Sequence, residues 1–195
     1  MVNATSGFPP HLTAALPLLA ALCACGAQEA TLTGESLKVS PCRDGKDLVL
    51  APVDLSFNHL VWVRYSDQNG TLELRRGWRQ PTASDLVSVE FMDLPLLREA
   101  VRQASGQPVA MEGLARVSLV LSERCPDADQ PLVARTGTLV LDRFDLDPGG
   151  HIAGSIRFDL RDERQDPSEP PVGVNLALTF EKELTDKDPL TGYGR

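Results

Sequence analysis

The sequence predicts a mainly β domain: an antiparallel β-sandwich or barrel of about eight or nine short strands, with one short helix near residues 93–105. Three features carry that expectation. Apolar side chains recur with a period of two along most of the chain. Clusters of Asn, Asp, Pro and Gly separate the alternating runs, as reversals of the chain require. A single segment, after Asp93, spaces its apolar residues as a helix does.

Taken in order, strands are expected over Ser36 to Ser40, over Asp47 to Ala51, and where Val53, Leu55 and Phe57 alternate with Asp54 and Ser56. Leu60 to Tyr65 and Thr71 to Arg76 flank Asn69-Gly70, a pair that tolerates positive φ, so a hairpin is expected there. Leu86 to Phe91 reads as the next strand. Asp93 can cap a helix in which Pro95 costs little, because first-turn amides have no helical partner. Leu97 and Val101 then share one face until Gly106 stops the helix. Leu114 to Ser122 follows as a strand, and Asp147-Pro148-Gly149-Gly150 joins Gly137 to Leu146 with His151 to Leu160. The clearest strand places Val172, Val174, Leu176, Leu178 and Phe180 on one face and Gly173, Asn175, Ala177, Thr179 and Glu181 on the other. Asp166 to Pro171 reads as a surface loop. The expected organisation is a segment removed over 1–24, a tether over 25–36, a β domain over 37–183 and a disordered tail over 184–195.

The first 24 residues contain no Asp, Glu, Lys or Arg, and Leu12 to Ala24 forms an apolar run without a charge. A membrane-spanning helix needs about 20 apolar residues, a signal-peptide core only about 7 to 15, so the length points to export. The run ends in Leu22-Cys23-Ala24-Cys25-Gly26, which resembles the lipobox of bacterial lipoproteins: an aliphatic residue three places before the cysteine and a small one just before it. The resemblance implies cleavage between Ala24 and Cys25, a diacylglyceryl group on the Cys25 sulfur, and acylation of the new amino terminus. Gly26 stands where the family's inner-membrane retention signal would be Asp, which implies the outer membrane. TGTLVLDRFDLDPGGHIAGSIRFDL is also similar to hairpins of β-rich bacterial lipoproteins of unassigned function. An ordinary secretory signal cut near Ala24 or Ala27 would export the chain without the lipid.

Export leaves Cys42 and Cys125 as an even pair in an oxidising compartment, and a disulfide between them is expected; two separate buried thiols are the alternative. The formal charge of −8, with no basic run longer than Arg75-Arg76, argues against nucleic acid as a partner. The membrane, reached through the amino-terminal lipid, is the expected partner, together with a protein or glycan that the sequence does not specify.

Chemistry-bearing motifs are sparse. The mature chain offers His59 and His151 as bases, without a G-x-S-x-G elbow, an H-E-x-x-H helix or a C-x-x-C pair, and no cofactor is expected. Asp142, Asp145 and Asp147 lie near a turn and form a weak calcium candidate without EF-hand spacing. Trp62 and Trp78 are the candidates for a ligand surface. The expected function is therefore a lipid-anchored envelope protein that presents a binding, structural or assembly surface. The alternatives are a carboxylate-dependent, glycosidase-like hydrolase and a secreted soluble binding protein.

Overall fold

The computed structural model describes residues 28–42, 45–76, 84–126 and 131–185. Among these, β1 (Glu29–Gly34), β2 (Ser36–Val39), β3 (Leu48–Leu50), β4 (Val53–Phe57), β5 (His59–Arg64), β6 (Gly70–Arg75) and β7 (Asp85–Phe91) precede the helix α1 (Leu94–Ala104). After it come β8 (Val109–Ala110), β9 (Ala115–Leu121), β10 (Leu132–Ala134), β11 (Gly137–Phe144), β12 (His151–Asp162) and β13 (Gly173–Glu183). Pairing is antiparallel. The principal path runs β3-β2-β13-β12-β10-β9-β7-β6-β5, a curled sheet that forms a half-barrel, so the fold is of the expected β class.

Curling comes from strands that change partner partway along. β1 pairs with the Ala177 to Glu181 part of β13 and β2 with Gly173 and Val174, so the two continue one line along its edge, interrupted at Glu35. In the same way β11 and β10 follow each other along β12, and β10 passes its other edge to β9. Inward side chains from the whole curl meet in one core. The Phe91 ring lies 6.0 Å from Trp62 and 5.5 Å from Phe144 between centroids. Leu32, Leu72, Leu139, Ile156 and Leu178 are buried around the same core. Burying each such side chain is worth roughly 1.5–3 kcal/mol.

Several expectations are corrected. The tether does not reach residue 36, because Ala30 and Leu32 are buried and β1 is paired on both sides, with β13 and β4. β8 and β10 are also additional strands, too short to show a period. At the other end Leu184 is buried, its N–H donates to the Gly150 carbonyl, and its own carbonyl accepts from Gly149. The domain therefore includes Leu184, and residues 186–195 lie outside those described.

Within β13 the expected alternation breaks. Asn175 adopts φ 51°, and the register against β12 slips between Phe158 and Leu160, so Gly173 turns inward and Val174 is only half-buried. A bulge of this kind places two residues opposite one. Here it is held by the Asn175 N–H donating to Asp159 Oδ1 at 2.8 Å and its side-chain amide donating to Glu35 at 2.8 Å.

The hairpin at Asn69-Gly70 exists, but its reversal lies earlier. Tyr65 N–H donates to the Asn69 carbonyl, and Ser66 Oγ accepts from the Gln68 and Asn69 N–H groups. Gly70 belongs to β6, where a Cβ would collide with the Trp62 ring, so the glycine serves packing. In α1, Asp93 caps as expected, accepting from Leu96 N–H at 2.9 Å, and Leu94 and Leu97 are its buried residues.

Cys42 and Cys125 are bonded, with their Cα atoms 4.9 Å apart. The bond joins the β2–β3 connection to the turn after β9, two places far apart along the curled sheet. That turn has a second anchor in Asp85, at the start of β7. Its fully buried carboxylate accepts from Glu123 N–H (3.0 Å), Arg124 N–H (3.3 Å) and the Arg124 guanidinium (2.7 Å).

Candidate functional site

The sequence candidates do not converge on one place. Trp62 is 0% exposed and packed on Phe91, because inward positions of β5 face the core; it is not a ligand surface. Trp78 and Cys25 lie outside the described residues. Asp145 is spent on its own turn, accepting from Asp147 N–H at 3.1 Å, while Asp142 stands on β11 at a register shift. Among the described residues no group of three His, Cys, Asp or Glu could hold a metal ion, so the calcium candidate lacks its cluster. His59 begins β5 opposite Arg75; partial burial, then the Arg75 charge, lower its pKa below the usual imidazole value. His151 begins β12 opposite Glu183, and the strand register does not bring the two histidines together.

What the fold does assemble is a set of adjoining hollows around the carboxyl end of β12. The largest, about 320 Å³, opens between Ala134 to Thr136 and the loop that follows β12. A second, about 260 Å³, shares Asp162 and Gln165 with it and extends to Lys38 and Ser40. A third, about 220 Å³, lies at the β13 bulge and shares Asp159.

Alternation along β12 explains this placement. Phe158 and Leu160 point into the core, so Asp159 and Arg161 point out. Arg161 reaches over the loop and donates to the Pro167 carbonyl at 3.2 Å and the Glu169 carbonyl at 2.7 Å, closing one wall. Glu163 accepts from Arg135 at 2.5 Å across the hollow. Asp162 accepts from the Arg164 guanidinium through both oxygens, and this pairing holds its carboxyl below the usual carboxylate range. Asp166 is lowered in the same sense by the Ser168 N–H and hydroxyl.

Each of these carboxylates is thus held by a donor, Asp159 by the Asn175 N–H. A general acid needs a raised pKa, and Asp162 and Asp166 are shifted the opposite way. The arrangement suits recognition: a rigid surface of alternating charge over a partly apolar floor of Val133 and Ala134. Sequence reasoning missed it. Its one legible trace was the Pro-rich Asp166 to Pro171 loop following a strand that alternates Asp159 and Arg161 with apolar residues.

No protein-family model matches the chain, and no curated protein or solved structure matches it either.

Proposed function

We propose that the chain is a lipid-anchored protein of the bacterial cell envelope, on the outer membrane, which acts as a binding or assembly module through the hollows at the end of β12. The observation that carries the reading is the charge-free run from Leu12 to Ala24 ending in Leu22-Cys23-Ala24-Cys25. The Cys42–Cys125 bond supports export, since structural disulfides persist in oxidising compartments. Charged hollows whose carboxylates are already paired support recognition of a polar partner, a protein or a glycan.

Radiolabelled palmitate fed to cells expressing the full chain tests the anchor. Incorporation that disappears in Cys25→Ala supports it. A mature protein exported without label, cut near Ala24 or Ala27, overturns it in favour of a secreted soluble protein.

A further inference from the structure

We propose that the anchored domain rests on the bilayer by the corner carrying Tyr65, Met92 and Leu96, and so holds the hollows around Arg161 away from the membrane. This inference rests on the lipid at Cys25. The occupant of the corner is a lipid surface, and the argument begins with the length of chain that leads to it.

Between Cys25 and Glu29 there are four residues' worth of backbone, which reach at most about 14 Å when fully extended. Glu29 is already in the sheet, opposite Glu181. The lipid attachment therefore lies within that reach of one end of the strands: the end where Glu181 pairs with Ala153, Lys182 with Ile152, and Leu184 with the β11–β12 turn.

Exposed apolar side chains gather at the same end. Phe144 pairs with Ile152, and the Phe91 ring lies 5.5 Å from that of Phe144. Met92 follows Phe91 in the chain, while Gly70 pairs with both Phe91 and Arg64, which brings Tyr65 beside them. Leu94 N–H donates to the Gln68 carbonyl at 2.7 Å and ties the start of α1 to the Tyr65 turn. Of the four large apolar side chains that the described residues expose, Tyr65, Met92 and Leu96 stand on this corner; the fourth, Val49, pairs with Lys38 in the β2–β3 hairpin. Three such side chains are too few to hold a protein on lipid alone, but a tether that keeps them within reach lets them settle into the headgroup layer.

The opposite end points outward for a geometric reason. Eight residues of β12 separate Ala153 from Arg161, about 26 Å at roughly 3.3 Å per residue. Glu29 stands opposite Glu181 at the anchored end and Asp147 lies in the adjoining β11–β12 turn, so an anionic surface would repel these carboxylates over a screening length of about 8 Å. A neutral bilayer is the appropriate probe.

The test uses the full, processed protein in phosphatidylcholine vesicles, with an environment-sensitive fluorophore on Leu96→Cys or on Gln165→Cys, and a lipid-borne quencher. The expected result is several-fold stronger quenching at position 96 than at 165, reduced in that labelled protein by Tyr65→Ser with Met92→Ser. Equal quenching at the two positions, stronger quenching at 165, or no effect of the serine changes overturns the orientation. The palmitate label, measured on the same preparations, distinguishes this failure from loss of the anchor itself.

Discussion

Asp85→Ala should be among the more damaging single substitutions outside the apolar core. The side chain is 0% exposed and accepts three hydrogen bonds, two from the backbone of the turn that carries Cys125 and one from Arg124. Truncation leaves the Glu123 and Arg124 N–H groups without their acceptor beneath a part-buried turn. Hydrogen bonds to a charged group contribute about 1.5–3 kcal/mol each. The 3.3 Å bond lies at the low end, and the Arg124 side chain, 24% exposed, recovers part of its loss by hydration. The net cost is about 3 kcal/mol, in line with the removal of one partner from a buried pair. For a domain of this size that corresponds to a fall in Tm of roughly 6–12 °C, while Asp85→Asn, which keeps one acceptor oxygen, should lose about half as much. Thermal unfolding at neutral pH under non-reducing conditions measures it. A fall of less than about 2 °C for Asp85→Ala would show that the turn does not depend on this carboxylate.

Two further outcomes follow from the same geometry. Replacing both Cys42 and Cys125 by Ser should lower stability by about 4.5 kcal/mol on the chain-entropy account of a crosslink spanning 83 residues, read from denaturant unfolding with m fitted for each protein, because the denatured chain without the crosslink is less compact. The folded pKa of Asp162 lies below its ordinary 3.8 because Arg164 grips the carboxylate. Its contribution is therefore complete above that pH and is lost as the pH falls through the folded value, so Asp162→Asn should flatten the acid limb of a stability–pH curve below about pH 4.

Strands whose buried side chains are large were legible in the sequence. Leu176, Leu178 and Phe180 face inward as their alternation requires, and α1 begins where Asp93 can cap it. β1 was hidden because its inward residues are only Ala30 and Leu32, and its burial depends on β13, which lies some 150 positions away in the chain. The β13 bulge was equally hidden: Asn175 accepts a left-handed backbone because Asp159 and Glu35, distant in sequence, receive its N–H groups. Gly70 shows the converse error, in which a residue that suits a tight turn is present for a different reason, the Trp62 ring beside it.

The recognition surface was illegible for a related reason. In the sequence Asp159 and Arg161 stand along a strand and Glu163 belongs to an acidic group with Asp162 and Asp166. They become walls of a hollow only when Arg161 bends back to the Pro167 and Glu169 carbonyls and β10 brings Arg135 across to Glu163. Cys42 and Cys125 were paired from the compartment implied by the amino-terminal segment, and the fold brings them together.

The mass of the intact protein recovered from native envelopes tests the central claim most directly. The account predicts a chain beginning at Cys25, heavier than its polypeptide by a diacylglyceryl group and a third acyl chain, and lighter by the two hydrogens of one disulfide. A chain that retains Met1 and carries no acyl adduct would contradict the anchor, and the envelope role proposed for the domain would fall with it.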